Sequence, residues 1–264
     1  MNSITTQSLA IAYEDALIVK NLDMQIPHKK ITSIIGPNGC GKSTVLKAVG
    51  RILKPKKGLV YLSGEDINTL STKEVAKKMA ILPQTPTAPS GLTISELVAY
   101  GRFPHQKGFG KLTAEDKEIV SWALKVTNLS DMEHREVDTL SGGQRQRVWI
   151  AMALAQQTDL ILLDEPTTYL DLSHQLEVLN LLYNLNKEQG CTIAMVLHDL
   201  NLAARFSDYM VAIRSGDIIS HGTPTDVMTK DVLKKTFNID AEISHDPRTG
   251  RPICITYDLI KGAS

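Results

Sequence analysis

The sequence predicts an α/β fold in which a largely parallel sheet carries helices on both faces, and three observations support this. Apolar strand-like runs alternate with helical patterns: Ile31-Thr32-Ser33-Ile34-Ile35 precedes a helix read from Ser43 to Arg51, and Leu160 to Leu163 is joined to Thr192 to Leu197 by a helix read from Ser173 to Gln189. A glycine-rich turn, Gly36-Pro37-Asn38-Gly39-Cys40-Gly41-Lys42-Ser43, lies between the first strand and its helix. A helical stretch from Thr93 to about Asp138 interrupts the alternation and marks an inserted region.

Taken in order, the chain up to about Gln84 reads as strands, the glycine-rich turn with its helix, and a hairpin around Lys56-Lys57-Gly58 and Ser63-Gly64-Glu65-Asp66. Prolines and a glycine between Thr85 and Gly91 break regular structure there. Thr93-Ile94-Ser95-Glu96 fits a capping box, and Thr113-Ala114-Glu115-Asp116 opens another helix with acids in its first turn. Arg145 to Gln157 is a good helix former with Trp149, Ile150, Ala153 and Leu154 on one apolar face. Beyond Leu197, Met210 to Arg214, the turn Ser215-Gly216-Asp217 and Ile218 to His221 form a hairpin pattern. Asp226 to Phe237 reads as one helix, and Asp246 to Gly250 as a turn between two short strands, a small appended hairpin. The boundaries expected are a core of residues 1–85 and 159–264 and a helical segment of residues 86–158.

Composition narrows the function classes. Lys plus Arg number 29 and Asp plus Glu number 29, a balance that argues against a broad nucleic-acid surface. No apolar run approaches the roughly 18 residues of a membrane span, and Met1 to Ala10 lacks a basic-then-apolar leader pattern. The expectation is a cytosolic chain that reaches a membrane only through a protein partner. Cys40, Cys191 and Cys254 have no paired spacing, so neither a disulfide framework nor a zinc site is expected.

The glycine-rich turn fits G-x-x-x-x-G-K-[ST] in the strand-loop-helix context that gives the motif its meaning. Glycines let the backbone turn tightly so that successive N–H groups face phosphate oxygens, and the following helix N-terminus favours negative charge. Lys42 then reaches the β- and γ-phosphates, Ser43 offers its hydroxyl to Mg²⁺, and Cys40 is a small side chain at a free position. A carboxylate for the metal comes from Asp164 at the end of Leu160-Ile161-Leu162-Leu163. Glu165 follows it, turned by strand alternation to the other side, where it can polarise an attacking water. Without the loop upstream, the acidic pair would read as the plain end of a strand before Pro166.

Leu140-Ser141-Gly142-Gly143-Gln144, just ahead of the apolar helix, completes a set that resembles the ATP-binding subunits of ABC transporters over nearly the whole chain. The resemblance implies a P-loop NTPase core of RecA type, an N-terminal antiparallel β region, and an inserted helical subdomain carrying the signature. It implies ATP hydrolysis with Mg²⁺, and a homodimer in which residues Gly36 to Thr44 of one copy (Gly36, Pro37, Asn38, Gly39, Cys40, Gly41, Lys42, Ser43, Thr44) hold an ATP. Ser141, Gly142, Gly143 and Gln144 of the other copy contact its γ-phosphate. Further roles follow from matching positions in the family's order: Tyr13 stacks on adenine, Gln84 contacts Mg²⁺ and water, His198 contacts the γ-phosphate, and Asp171 belongs to the loop that crosses between copies. Read singly, Tyr13 is a strand-ending tyrosine, Gln84 a turn residue and His198 an ordinary histidine after a strand. Most of the family has a small residue before Leu170-Asp171, where this chain has Tyr169.

Tyr100-Gly101-Arg102-Phe103-Pro104-His105 and Thr167-Thr168-Tyr169-Leu170-Asp171 look like the subfamily that energises bacterial import of iron-siderophore chelates. That resemblance implies membrane permease subunits above a homodimer, an extracellular or periplasmic substrate-binding protein, no nucleic acid, and a peripheral place on the cytoplasmic face of the cell membrane. The alternatives are an ABC ATPase for haem, vitamin B12 or another solute, and a non-transport ABC ATPase; the latter usually carries two nucleotide domains or a long coiled coil, neither of which is read here. From residue physics alone, Arg102 to His105 is an exposed loop after a helix.

Overall fold

The computed structural model describes residues 1–14, 16–106 and 111–260. They fall into two compact units, one made of Met1–Thr69 and the chain from Thr192 on, the other of Leu70–Cys191.

The chain opens with β1 (Asn2–Tyr13), β2 (Ala16–Leu22), β3 (Gln25–Pro27), β4 (Ile31–Ile35), α1 (Lys42–Val49), β5 (Lys57–Leu62) and β6 (Glu65–Asp66). The second unit contributes α2 (Thr72–Lys78), β7 (Met79–Leu82), α3 (Ile94–Ala99), a 3-10 turn (Tyr100–His105), α4 (Ala114–Val126), α5 (Gly142–Ala155), β8 (Leu160–Leu163) and α6 (Leu172–Gln189). The chain then returns to the first unit with β9 (Thr192–Val196), α7 (Leu200–Phe206), β10 (Tyr209–Arg214), β11 (Asp217–Gly222), α8 (Pro224–Val227), α9 (Lys230–Phe237), β12 (Ile239–His245) and β13 (Pro252–Leu259).

In the first unit, β1 is the centre of an antiparallel sheet, paired with β2, β3 and β5. Separately, β4 lies between β9 and β10, parallel to both, and β11 returns antiparallel on β10. Every residue of β4 and β9 is buried, which explains why both read as continuous apolar runs rather than as alternating ones. The β10–β11 turn is Ser215-Gly216, both at positive φ (51° and 83°), the mirror-image turn that matches strand twist. β12 and β13 form the appended hairpin, as the turn at Asp246 to Gly250 suggests. Asn201 of α7 holds it by donating to the carbonyl of Cys254 and accepting its N–H, at 3.0 and 2.8 Å.

In the second unit β7 and β8 pair in parallel, with Met79 opposite Leu160. Helices α3, α4 and α5 pack on one another through Leu97, Val98, Ala123, Leu124, Val148 and Ala151, each at most 1% exposed. Full burial of such a leucine or valine contributes about 1.5–3 kcal/mol. The capping boxes read at Thr93 and Thr113 form: each threonine accepts the N–H of residue N3, and Glu96 or Asp116 reaches back to its backbone.

Three expectations need correction. The helix read from Asp226 to Phe237 is two, because Met228 leaves helical geometry (ψ 60°) and Thr229 starts α9 by accepting the Val232 N–H. The helix read from Arg145 to Gln157 runs from Gly142 to Ala155, with Ser141 at its N-terminus as the sequence places it. Finally, the plain alternative of an exposed loop at Arg102 to His105 holds only in part: the segment coils as a 3-10 turn that leaves Phe103 exposed but buries the Arg102 side chain to 3% exposure.

Candidate active site

In the first unit the glycine-rich loop runs from β4 into α1, and its shape is imposed by its neighbours. A Cβ on Gly36 (φ 154°) would lie 2.1 Å from the Ile213 carbonyl oxygen, so only glycine fits. Gly216 donates its N–H to the Cys40 carbonyl at 2.9 Å, fastening the loop to the β10–β11 turn. Gly41, at φ 104°, is the N-cap of α1 and has no side chain to accept the first helical N–H groups. The caps of α2, α3, α4, α5, α6, α7 and α9 all use a side-chain oxygen. A Cβ at Gly39 would have no neighbour within 4 Å, which leaves space over the loop. An N-terminus ending in glycine, under open space, suits an anion of several oxygens.

Lys42 is 5% exposed, and its ammonium donates to the carbonyls of Gly36 and Pro37, each at 2.9 Å. The loop thus folds its own cation inward, on the side where phosphate oxygens are expected. Ser43 and Thr44 follow in the first turn of α1, half-buried and buried. Burial pushes the Cys40 thiol upward against the opposing pull of Lys42, which suits an inert side chain rather than a nucleophile. Tyr13 ends β1 with its ring 44% exposed. His198 is exposed just past β9, immediately before Asp199, which caps α7 by accepting the Leu202 N–H at 2.8 Å.

In the second unit the acidic pair follows β8. Asp164 is 4% exposed, and its N–H bonds to the Leu82 carbonyl at 2.9 Å, extending the β7–β8 pairing. A carboxylate this buried is stable when ionised only beside a cation or hydrogen-bond donors, and its oxygens are the hard ligands that Mg²⁺ selects. Glu165 turns away, though not by strand alternation: β8 has ended, and Glu165 takes a left-handed backbone, φ 53°. Gln84 donates from Nε2 to Glu165 Oε2 at 2.6 Å, and the Thr168 hydroxyl donates to the same oxygen at 2.9 Å. Thr168 was not foreseen, although its place three residues after the glutamate within a turn is a readable signal.

Ser141 caps α5 with the reciprocal bonds of a capping box, accepting the Gln144 N–H at 3.3 Å while its own N–H reaches Gln144 Oε1 at 3.1 Å. Gly142 faces open space, whereas a Cβ on Gly143 would lie 2.6 Å from the His174 ring. His174 is held in turn by Asp171, which accepts its backbone N–H at 2.9 Å and lies 2.8 Å from its Nδ1. The His174 N–H holds the Asp171 carboxyl below the usual carboxylate range. Asp171 therefore caps its own helix, α6, while Tyr169 is left 92% exposed at φ 65°. Sequence reasoning missed His174.

The sequence model of a family described as "ABC transporter" matches residues 19–168. The chain belongs to the ABC transporter family. This ABC ATPase is 63% identical over 261 residues to the iron(3+)-hydroxamate import ATP-binding protein FhuC of Bacillus subtilis, covering 99% of this chain and 97% of that one. It is 52% identical to a probable siderophore transport system ATP-binding protein, YusV, of the same organism, covering 97% and 94%. Among solved structures, an inward-facing putative metal-chelate type ABC transporter superposes with a TM-score of 0.83 at 26% identity over 96% of both chains. A dimeric ATP-binding cassette in a post-hydrolysis state with ADP and Pi gives 0.73 at 31% identity, covering 83% of this chain and 98% of that one. Among the described residues, no helix of the ABC ATPase is long and apolar enough to cross a membrane.

Proposed function

We propose that this ABC ATPase energises import of an iron-siderophore chelate, with ferric hydroxamates the first class to examine, by hydrolysing ATP as a homodimer beneath two membrane permease subunits. The observation that carries the transport reading is the 63% identity to an iron(3+)-hydroxamate import ATP-binding protein, sustained over 99% of the chain. The hydrolytic reading is supported by Glu165, held by Gln84 and Thr168 directly after Asp164.

In this reading the loop Gly36 to Thr44 receives the triphosphate, and Lys42 exchanges its two carbonyl partners for β- and γ-phosphate oxygens. Tyr13 lies against the adenine through its exposed ring face. Mg²⁺, when bound, neutralises phosphate charge; Ser43, Gln84 and Asp164 are the oxygen donors that would hold it. Among the described residues, no group of three or more His, Cys, Asp or Glu side chains is arranged to hold a metal, so further ligands would be phosphate and water. Glu165 accepts a proton from the attacking water, and the donors on its Oε2 hold it aimed. His198 contacts the γ-phosphate. Ser141, Gly142, Gly143 and Gln144 at the start of α5 serve the nucleotide of the second copy, with Asp171 and its loop at the junction between copies. Phosphoryl transfer to water needs positioning and electrostatics more than covalent chemistry, which suits this set of groups.

The helical segment 86–158 is read as the side facing the permease, with the core in residues 1–85 and 159–264. The ATPase would sit peripherally on the cytoplasmic face, and chelate would arrive at the permease from an extracellular or periplasmic binding protein. Uptake of radiolabelled ferric hydroxamate in cells lacking this chain, restored with the native protein or with Glu165→Gln, tests the reading. Rescue by the native chain alone supports it; unchanged uptake in the deleted cells overturns the hydroxamate assignment.

A further inference from the structure

The 3-10 turn Tyr100–His105 carries none of the residues assigned to the nucleotide, yet its Arg102 side chain is buried and donates to three acceptors. Arg102 donates from Nε to Asp116 Oδ1 at 2.8 Å, and from Nη1 to the Ala155 carbonyl at 2.8 Å and to Gln157 Oε1 at 3.2 Å. His105 Nε2 lies 2.8 Å from the Gln156 carbonyl oxygen. Ala155 and Gln156 are the last residue and the C-cap of α5, the helix that starts at the signature glycines. Gly101 lies so close to the same helix that a Cβ would stand 2.2 Å from the Met152 carbonyl oxygen.

The two ends of α5 are treated differently. Its last turn has no basic residue of its own, so Arg102 and His105 supply the donors its terminal carbonyls need, and Arg102 the charge favoured at a helix C-terminus. Its first turn has no acid, whereas α2, α3 and α4 each carry one or more there. The C-terminal end is thus tied down from outside, and the positive N-terminal end is left for an incoming anion. A helix of 14 residues is about 21 Å long. A tilt of about 3° at the tied end moves the other by about 1 Å, and a misplacement of about 1 Å can cost about 10²-fold in rate.

We propose that Arg102, with Gly101 and His105 beside it, is a positioning residue that aims the signature end of α5 at the nucleotide of a second copy. The inference rests on the dimeric reading above. In this proposal Arg102 acts through the Ala155 carbonyl at the far end of the helix.

The test separates positioning from simple charge balance. Arg102→Ala combined with Asp116→Asn removes both buried charges together, and Arg102→Lys keeps the charge but loses the planar fork. Each is compared with the native chain for melting temperature, ATP binding by the separate chain and kcat of phosphate release. Each is also placed in a Glu165→Gln background to measure ATP-dependent dimerisation by size-exclusion chromatography. The expected result for the double variant is a cooperative melt at lowered temperature with native ATP affinity, kcat lowered about 10- to 100-fold and dimerisation shifted to about tenfold higher chain concentration. If the double variant does not fold, Gly101→Ala, which presses on α5 without changing charge, is expected to show the same split between kcat and ATP affinity. Native kcat and dimerisation in any of these folded variants would overturn the proposal, as would an equal loss of ATP binding. Failure of Glu165→Gln itself to dimerise with ATP would overturn the dimeric reading and the proposal with it.

Discussion

Gln84 and Glu165, 81 positions apart in the chain, share a 2.6 Å hydrogen bond from amide Nε2 to carboxylate Oε2, and Thr168 adds a second donor to that oxygen. The two donors together fix the plane of the carboxylate. Losing the Thr168 hydroxyl removes a charge-assisted bond worth about 1.5 kcal/mol, or about tenfold in rate if it acts in the transition state. Thr168→Ala is therefore expected to lower kcat about tenfold at unchanged ATP affinity, measured by phosphate release and equilibrium nucleotide binding.

Glu165→Gln should do more. With the proposed proton acceptor gone, hydrolysis is expected to fall by about 10²–10⁴-fold, while ATP binding persists and an ATP-bound dimer accumulates. Hydrolysis at the native rate would remove Glu165 from the role of base.

The two loop glycines Gly36 and Gly39 should behave differently. Alanine at Gly36 meets a backbone oxygen at 2.1 Å, so the loop itself must shift, and Gly36→Ala is expected to abolish nucleotide binding. Alanine at Gly39 meets nothing within 4 Å and carries only the backbone strain of φ 75°, about 1–2 kcal/mol. Fluorescent-nucleotide titration and thermal melting of the two variants would show the contrast.

Asp116 gives the fold a pH dependence. The Arg102 guanidinium is the first cause holding its carboxyl at about 2, with desolvation opposing it. A carboxyl depressed in the folded state adds stability that is complete above its unfolded value near 4 and is lost as pH falls towards 2. The shift corresponds to about 2 kcal/mol. Urea titrations should therefore show the native chain more stable than Asp116→Asn at pH 7, with the gap narrowing below about pH 4 and closing only as pH falls to about 2. Arg102→Ala alone, which leaves the carboxylate buried without its guanidinium, is expected to cost about 3–5 kcal/mol at pH 7.

The three thiols are buried, and burial raises each one: Cys191 reaches about 12, and Cys40 and Cys254 move in the same direction. Thiolate is the reactive form, so folded protein at pH 8 should alkylate far more slowly than unfolded protein at all three positions, as mass spectrometry after iodoacetamide treatment would show.

What was legible in the sequence is what neighbouring residues decide together. The glycine-rich loop between strand and helix, the capping boxes at Thr93 and Thr113, the apolar strands and the Ser215-Gly216 turn are local patterns, and they formed as read. Contacts made across distance were not legible. Nothing around Arg102 reveals that Asp116 and the Ala155 carbonyl will close over it, so a cation in a polar segment read as exposed. Likewise, alternation predicted the direction of Glu165, but β8 ends at Leu163 and a left-handed residue sets it instead. The break between α8 and α9 was hidden because Thr229, a cap in the structure, is also acceptable inside a helix.

Gly216 lies in a hairpin turn outside the glycine-rich loop, yet a Cβ there would stand 2.0 Å from the Ile18 carbonyl oxygen, and its N–H is the one that fastens that loop at Cys40. The mould of the loop is thus shared with a hairpin almost two hundred residues downstream. Tolerance to substitution should follow that mould rather than motif boundaries: a random library selected for nucleotide binding would be expected to reject change at Gly216 as strictly as at Gly36, and to admit it at Gly39.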